Sequence, residues 1–282
     1  MKKILITAEN SYIGNAFADW TYERYKIDFI SCRTDKWKEL DFSIYDVVFH
    51  VAGIAHTRET KENTNLYFKV NRDLTVALAM KAKDDGVKHF IFLSSMSVYG
   101  IERGVIRKES IPKPTSNYGI SKLQAEEKIM SLKNENFRIA ILRVPMVYGK
   151  NCKGNYPRLA KVALKLPVVP AINNQRSMLY IDNLSEFVKV VIENCMSGIY
   201  LPQNSEYTNT SEMIRLIAEV HEKKIVLTKL ANPLIRLLCR KSRVVNKVFG
   251  NLVFEQSKSD YCVVGLKESI KLTEGDMENW RN

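Results

Sequence analysis

Short apolar runs alternate with helical segments through the first two thirds of this chain. A strand that is buried on both faces has a continuous apolar sequence, and parallel strands need a crossover segment, usually a helix, between them. The alternation therefore predicts an α/β fold with a doubly wound parallel sheet. The predicted strands are Lys3–Ala8, Ile27–Cys32, a short third strand at Trp37–Phe42, Tyr45–Gly53, His89–Ser95, one that starts at Phe137, and Gly198–Pro202. The predicted helices include Asn65–Asp85, closed by Gly86, one over 117–128, and Leu184–Asn194, capped by Asp182.

Length and composition exclude several classes of protein. The 282 residues suffice for one large domain or two interleaved ones. No apolar run reaches the ~18 residues of a membrane span, and Met1–Ala8 is too short for a signal peptide and is typical of a first strand. The five cysteines are odd in number and widely spaced, which predicts a reducing, cytoplasmic location without a disulfide framework. With four scattered histidines and no Cys-x-x-Cys, no metal site is expected.

A hydroxyl-ended strand followed by a Tyr-x-x-x-Lys pair is the main candidate for chemistry. The run His89–Ser95 ends in two serines, and Tyr118 and Lys122 lie four residues apart in a helical segment. Residues at that spacing share a helix face. A free phenol titrates near ~10, and a nearby ammonium favours the phenolate, so Lys122 is expected to lower the pKa of Tyr118. The phenol could then take a proton from an alcohol whose carbon loses a hydride, with Ser95 holding the same oxygen.

The spacing alone is weak evidence, because Tyr22 and Lys26 form a second Tyr-x-x-x-Lys pair. That pair is interpreted as two exposed surface residues at a helix end, without a role in catalysis. Only Tyr118 follows a strand that ends in hydroxyl groups, and this context selects it as catalytic.

Two segments resemble the signature sequences of the extended short-chain dehydrogenase/reductase family, and more narrowly its nucleotide-sugar epimerase, dehydratase and 4-keto-reductase members. They are Leu93–Gly100 and Tyr118–Lys122. The resemblance implies a doubly wound parallel Rossmann sheet with a smaller, interleaved C-terminal substrate-binding lobe. It implies an NAD(P)-binding domain at residues 1–149, plus about 177–202. A nucleotide-sugar lobe is then expected at about 150–176 and 203–282.

The first strand and the turn after it are expected to hold the dinucleotide pyrophosphate at a helix N-terminus. The family pattern there is Gly-x-x-Gly-x-x-Gly, and this chain has Ala8, Ser11 and Gly14, so only the third glycine survives. At the end of the second strand Arg33 is present and a carboxylate is absent, which favours NADP over NAD. The full set expected at the cofactor is Ala8, Ser11, Tyr12, Ile13, Gly14, Arg33, Asp41, Val51, Ala52, Gly53, Tyr118, Lys122 and Pro145.

The resemblance also assigns residues to the substrate. Asn155 is the candidate for the nucleotide diphosphate and Arg176, with its guanidinium fork, for the pyrophosphate. Ser95 and Ser97 are expected to contact the sugar. His56 is a weaker candidate for a sugar contact, whereas His50, inside an apolar run, is expected to be a core residue.

The activity that the resemblance implies is hydride transfer at C4 of a nucleotide sugar, expected to be a UDP-sugar, by an NAD(P)-dependent epimerase or a 4-keto-sugar reductase. A 4,6-dehydratase fits less well, since Met96 and Ser97 stand where those relatives carry Asp-Glu. The alternative is a non-catalytic dinucleotide sensor or scaffold on the same fold, which the altered glycine pattern favours and the intact Ser95, Tyr118 and Lys122 oppose.

The net charge of +12 is unevenly distributed. Between Lys223 and Gly250 there are eight Lys or Arg and no Asp or Glu. Such a basic surface suits a solvated face near a pyrophosphate, an anionic membrane surface or nucleic acid. No stacking-aromatic or groove-helix motif supports nucleic acid, and none is expected as a partner. A weak membrane-surface contact through residues 223–250 and a homodimer stay open.

Overall fold

A computed structural model describes residues 1–55, 59–257 and 259–275; His56 lies outside the described residues. The strands are β1 Lys3–Thr7, β2 Lys26–Ile30, β3 Val47–His50, β4 His89–Ser95, β5 Gly104–Ile106, β6 Arg138–Val144, β7 Met146–Tyr148, β8 Val168–Pro170, β9 Met178–Tyr180, β10 Gly198–Tyr200, β11 Val226–Thr228 and β12 Leu252–Phe254. The α-helices are α1 Tyr12–Trp20, α2 Thr64–Tyr67, α3 Leu74–Asp84, α4 Asn117–Met130, α5 Tyr156–Lys165, α6 Ile181–Glu193, α7 Thr210–Val220, α8 Asn232–Lys241, α9 Arg243–Phe249 and α10 Leu266–Glu274.

The chain divides into two compact units. Unit 1 comprises residues 1–100, 111–144 and 184–202, and unit 2 comprises residues 101–110, 145–183 and 203–282. Residues 101–110, 145–149 and 177–183 thus fall in unit 2, whereas the expected NAD(P)-binding domain includes them.

Unit 1 contains a six-stranded parallel sheet in the order β10-β6-β4-β3-β1-β2. The strand order reverses between β1 and β3, which pair in register from Ile4–Val47 to Thr7–His50. In open α/β sheets, ligands bind at the carboxyl ends of the strands beside such a reversal. The α/β fold with a parallel central sheet agrees with the prediction.

Both faces of this sheet are buried. Leu5, Val48 and Phe90 belong to one core cluster with Leu78 of α3 and Ile129 of α4. The neighbouring strand residues face the other way because side chains alternate along a strand. There, Phe49 of β3 meets Phe17 of α1 edge to face, with ring centroids 5.4 Å apart.

Two local predictions were wrong, and a third needs refinement. Trp37–Phe42 is not a strand, because Asp35–Glu39 forms a 3-10 helix that buries Trp37. The helix predicted over Asn65–Asp85 is present but interrupted by a π-helical stretch, Phe68–Asp73. Asp182 does not cap α6, because α6 begins at Ile181 and Asp182 lies in its first turn.

Unit 2 is built on short parallel strand pairs: β12 with β5, β7 with β9, and β11 with β8. Its core includes a stacked pair, Tyr148 and Tyr156, with centroids 5.4 Å apart. The Tyr148 hydroxyl shares a 2.6 Å hydrogen bond with Ser269 of α10. No helix in the described ranges has the length and apolar character needed to cross a bilayer.

Candidate active site

The turn after β1 brings the N-terminus of α1 to the carboxyl edge of the sheet. Ala8 has a φ of 77°, in the left-handed region that favours glycine. Its N–H donates to the Ile30 carbonyl (2.8 Å) and its carbonyl accepts from Ser11 N–H (3.1 Å). Ser11 caps α1 by accepting from the Gly14 N–H at 3.2 Å. The chain therefore makes the tight strand-to-helix turn expected of a dinucleotide site although two glycines of the pattern are absent.

Gly14 is the position of that turn where a side chain has no room. A Cβ there would lie 2.9 Å from Ile6 Cγ2 and 3.3 Å from Val51 Cγ2. Glycine at this position therefore lets α1 lie against β1 and the end of β3.

A buried hydrogen-bond network holds the loop after β3. The Thr7 hydroxyl bonds His50 Nδ1 at 2.8 Å and accepts from the N–H groups of Val51 and Ala52, both at 3.1 Å. His50 Nε2 lies 2.9 Å from the Thr75 hydroxyl, which donates to the Asn71 carbonyl. Burial, helped by the charge of Lys122, lowers the pKa of His50 to about 3. The ring is therefore neutral, accepts at Nδ1 and donates at Nε2, and His50 is a core residue as expected.

Asn71 fixes the next part of the same loop. Its Oδ1 accepts from Ile54 N–H at 2.8 Å, and its Nδ2 donates to the Ile54 carbonyl (3.1 Å) and to Ser121 Oγ (3.3 Å). Asn71 lies in the π-helical stretch, and its side chain reaches Ile54 in the loop after β3. A Cβ on Gly53 would be 3.0 Å from Asn71 Oδ1 and 3.3 Å from Lys122 Nζ, so glycine keeps this backbone open beside the lysine.

Lys122 is held inside the protein. Its side chain is 4 % exposed, its Nζ donates to the Leu93 carbonyl at 2.8 Å, and the ammonium lies 4.5 Å from the centroid of the Phe92 ring. Burial lowers the pKa of Lys122 to about 8, against the opposing effect of the Glu126 carboxylate. The ammonium therefore lies between Gly53 of the β3 loop and the last residues of β4.

Tyr118 begins the same helix face, one turn before Lys122. Ser116 caps α4 through its hydroxyl, and the Glu59 carboxylate accepts from the N–H groups of Asn117 and Tyr118, both at 3.1 Å. Burial raises the pKa of the Tyr118 phenol, the nearby Ser95 hydroxyl lowers it, and Tyr67 raises it. The net direction differs from the predicted lowering by Lys122, because burial outweighs the effects of the neighbouring groups.

Ser95 ends β4 and interacts with Tyr118 across the loop. Its Oγ accepts from Ser97 N–H and donates to Ser97 Oγ, both at 3.2 Å. Gly119 lets the start of α4 lie close to Ser97, since a Cβ on residue 119 would be 2.6 Å from the Ser97 carbonyl oxygen. The structure thus brings Ser95, Ser97 and Tyr118 together, with Lys122 on the next turn of α4.

One turn beyond Lys122 on α4, Glu126 forms a buried ion pair with Arg143. Glu126 was not among the predicted site residues. Glu126 accepts from Arg143 Nη2 at 2.6 Å and from its Nε at 3.0 Å, and the Ser94 hydroxyl also donates to it. Arg143 Nη1 donates to the Tyr99 hydroxyl at 2.8 Å. The signal was present, because Glu126 is four residues beyond Lys122 on the same helix face.

Other residues predicted for the cofactor and the substrate lie in exposed positions or in unit 2. Arg33 is exposed, and Asp41 is exposed with its carboxylate accepting from Ser43 N–H at 2.8 Å. Pro145, Asn155 and Arg176 belong to unit 2. Asn155 is exposed at the start of α5, and half-buried Arg176 donates from Nη1 to the Gly250 carbonyl at 3.2 Å, with its pKa lowered by burial.

Comparison with known proteins assigns the chain to a family. Residues 12–227 match the model of the NAD dependent epimerase/dehydratase family. The chain belongs to this family. Its members are NAD-dependent enzymes, and the six-stranded parallel sheet described above is the fold expected for them.

Two relatives and two solved structures illustrate the range of this family. The chain is 31 % identical over 265 residues to a UDP-glucose 4-epimerase of Vibrio cholerae, covering 89 % of this chain and 80 % of that protein. It is 32 % identical over 198 residues to the N-acetyl-alpha-D-glucosaminyl-diphospho-ditrans,octacis-undecaprenol 4-epimerase of Escherichia coli O157:H7, covering 67 % and 59 %.

The structural matches extend over nearly the whole chain. UDP-glucuronic acid 4-epimerase from Bacillus cereus, in complex with NAD, superposes with a TM-score of 0.74 at 22 % identity and covers 97 % of both chains. RMD from Pseudomonas aeruginosa, complexed with NADPH, superposes with a TM-score of 0.73 at 17 % identity and covers 99 % of both. At these identities the likeness establishes the fold.

The residues at the carboxyl edge of the sheet fit a nicotinamide dinucleotide. The N-terminus of α1, with its positive dipole end and the closely packed Gly14, suits a pyrophosphate. The backbone of Gly53 is free of a side chain next to the Lys122 ammonium, which suits a ribose with its hydroxyl acceptors. In the described ranges, no three His, Cys, Asp or Glu side chains form a group that could hold a metal ion.

Proposed function

We propose that this protein is an NAD(P)-dependent nucleotide-sugar epimerase or 4-keto-sugar reductase that acts at C4 of a UDP-sugar. The observation that carries the proposal is the convergence of Ser95, Tyr118 and Lys122 at the carboxyl end of β4, on the sheet edge that also contains the β1–β3 reversal. Membership of the family and the 31 % identity to a UDP-glucose 4-epimerase support the same reaction class.

Each of the three residues has a separate role. Tyr118 takes the proton of the C4 hydroxyl when the sugar is oxidised and gives it back when the ketone is reduced. Ser95 donates to the same sugar oxygen and keeps it beside the phenol, with Ser97 next to it. Lys122, fixed by Leu93, holds a ribose hydroxyl and places a positive charge behind the site. A bound nicotinamide supplies and accepts the hydride.

Unit 2 is proposed as the nucleotide-sugar lobe. Arg176 offers a guanidinium whose Nη1 already donates to Gly250, and the fork geometry of arginine suits a diphosphate. Asn155, exposed at the start of α5, is the proposed second contact with the nucleotide diphosphate. Pro145 is proposed to lie beside the nicotinamide.

The preference for NADP over NAD is a proposal that rests on Arg33. This guanidinium is exposed just after β2, where it could meet a 2′-phosphate. Asp28, the carboxylate inside β2, is instead held by Lys3 at 3.1 Å and by the Tyr45 hydroxyl at 2.8 Å. Binding of both dinucleotides to wild-type protein and to Arg33→Ser decides the matter, since only NADP affinity should fall.

A second candidate substrate is a sugar carried on a polyprenyl diphosphate. The relative from Escherichia coli O157:H7 is named for such a substrate, and this chain exposes leucine side chains on unit 2. Both candidates share a hexose on a diphosphate and the same chemistry at C4. Assays that offer UDP-glucose, UDP-N-acetylglucosamine and a short polyprenyl-diphosphate N-acetylglucosamine in parallel separate them.

The decisive experiment compares two tyrosine variants in these assays. Tyr118→Phe should lower turnover at least ~1000-fold, because it removes the group that moves the proton. Tyr22→Phe is the matched control: Tyr22 heads the other Tyr-x-x-x-Lys pair, and its hydroxyl donates to Glu23 on the exposed surface. Its turnover should equal that of wild type.

The outcomes distinguish the alternatives. An epimerase converts the sugar with catalytic amounts of NAD, whereas a reductase consumes NADPH. A wild-type protein that binds dinucleotide but turns over none of the sugars would instead support the sensor or scaffold. Equal loss in both tyrosine variants would contradict the assignment of Tyr118.

Location and assembly complete the proposal. The five cysteines are free thiols, which supports a reducing, cytoplasmic location. A homodimer stays a prediction, which sedimentation velocity of the purified protein can test.

A further inference from the structure

The net positive charge of the chain comes from two stretches of unit 2. Residues 145–181 and 223–254 together hold fourteen of the 43 Lys and Arg residues and none of the 31 Asp and Glu residues. The rest of the chain is therefore close to neutral, and the excess is too concentrated to be a general solubility feature.

The two stretches lie side by side. Strands β8 and β11 pair with Val168 opposite Val226. Lys223 Nζ donates to the Leu164 carbonyl at 2.7 Å, and Asn232 Nδ2, at the start of α8, donates to the Ala171 carbonyl at 2.9 Å. The surface formed by α5, β8, β11 and the start of α8 is thus continuous.

Helix α5 shows how the cations are arranged. Tyr156, Ala160 and Ala163 are buried. Arg158, Lys161 and Lys165 are exposed at spacings of three and four residues, which puts them along one face of the helix. Further exposed lysines follow on the neighbouring stretch at 223, 224, 229, 241 and 247.

Apolar side chains are exposed among these cations. In α8, Leu234 (59 % exposed) and Leu237 (50 %) lie on one face with exposed Lys241, and Leu230, just before the helix, is 93 % exposed. Single exposed apolar residues are common, but a cluster of this kind marks an interaction surface. We name it the basic apolar surface, and its members are Leu166, Val168, Val226, Leu230, Leu234 and Leu237 with the exposed cations of α5 and residues 223–247.

We propose that the basic apolar surface docks on an anionic lipid bilayer. A bilayer offers negative headgroups to the lysines and an apolar boundary just below them to the leucines. Nucleic acid would satisfy the cations but leave Leu230, Leu234 and Leu237 in water. A second copy of the chain would cover the leucines but would bring like charges together across a two-fold interface. Of these three partners, only the bilayer matches both the cations and the exposed leucines.

Vesicle co-sedimentation of the full-length protein tests this proposal. The protein should bind vesicles of phosphatidylcholine with phosphatidylglycerol at least ~tenfold more strongly than vesicles of phosphatidylcholine alone, and ~0.5 M salt should weaken the binding. Two double variants should each lose at least ~tenfold in the partition coefficient: Lys224→Glu with Lys229→Glu, and Leu234→Ser with Leu237→Ser.

Matched controls come from unit 1. Lys69→Glu with Lys133→Glu makes the same charge change at exposed lysines, and Ile44→Ser with Ile111→Ser removes exposed apolar side chains (54 % and 74 % exposed). Both controls should bind vesicles like wild type. Far-UV circular dichroism and the unfolding midpoint exclude variants that have lost the fold.

Three results would overturn the proposal. The first is equal binding to anionic and neutral vesicles, or equal losses in the control variants. The second is salt-dependent binding to RNA or DNA that the lysine pair abolishes, without binding to vesicles. The third is a dimer that dissociates in the Leu234→Ser, Leu237→Ser variant while vesicle binding is absent. None of these measurements depends on turnover, so they stand apart from the proposed catalytic function.

Discussion

At the scale of single residues, Ala8 is the position where sequence and backbone disagree most clearly. An L-residue in the left-handed region carries a strain of ~1–2 kcal/mol, and Ala8 has a φ of 77°. Ala8→Gly should relieve this strain and lose part of the gain to the greater freedom of the unfolded chain. We expect a net stabilisation of ~0.5–1 kcal/mol in urea unfolding.

Ala18→Gly is the matched control because Ala18 lies inside α1, where glycine costs ~1 kcal/mol. The two substitutions are chemically identical and should change stability in opposite directions. Destabilisation of the same size in both variants would mean that the turn at Ala8 stores no strain.

Single residues also show what the sequence could and could not reveal about the site. Ser95, Tyr118 and Lys122 were selected by spacing and by the hydroxyl-ended strand, and the structure gathers them at one strand end. The direction in which the Tyr118 pKa shifts could not be predicted from the sequence pattern, because it depends on how deeply the phenol is buried. It also depends on residues distant in sequence, such as Tyr67, which raises this pKa electrostatically.

At the scale of secondary-structure elements, α4 is tied to the sheet by a charge pair. Glu126 and Arg143 are 3 % and 7 % exposed in their side chains, and they join α4 to β6. Glu126→Gln leaves the guanidinium buried without its counter-ion, so we expect a loss of ~3–5 kcal/mol in urea unfolding. The exposed neighbour offers the control: Glu127→Gln should change stability by less than ~0.5 kcal/mol.

The double variant Glu126→Leu with Arg143→Met separates the contribution of the ion pair from the contribution of packing at the two positions. It removes both charges together and should recover most of the stability lost in Glu126→Gln. A double variant as unstable as the single one would show that packing at these positions matters more than the ion pair.

Elements with a strong apolar period were predictable, and those decided by tertiary contacts were not. The runs in β1, β3, β4 and β6 are continuous and apolar, so the parallel sheet followed from the sequence. The segment around Trp37 offered only a mixed polar and aromatic pattern, and the burial of Trp37 in the core under β2 and β3 made it a 3-10 helix. The π-helical stretch at Asn71 could not be predicted from the local sequence. Its Asn71 side chain bonds to Ile54, which is 17 residues away along the chain.

At the scale of the whole molecule, two buried histidines couple stability to pH. Burial lowers the pKa of His50 from 6.5 to about 3 and that of His89 to about 4. In the unfolded chain both rings return to an ordinary pKa near ~6.5. The unfolded state therefore takes up protons first as the pH falls, so their contribution is complete above pH ~6.5 and is lost progressively below it.

Between pH 7.5 and 5 this linkage should remove about 2 kcal/mol per histidine, hence about 4 kcal/mol from the free energy of unfolding. Carboxylates whose pKa is lowered, such as Asp28 and Asp41, titrate below this window and do not obscure it. Urea unfolding at a series of pH values measures the slope. His89→Leu should retain the fold, because an apolar side chain suits this 3 % exposed position, and should lose about half of the slope. A free energy of unfolding that stays flat down to pH 5, or a His89→Leu variant with the full wild-type slope, would show that the two rings are not held neutral in the folded protein.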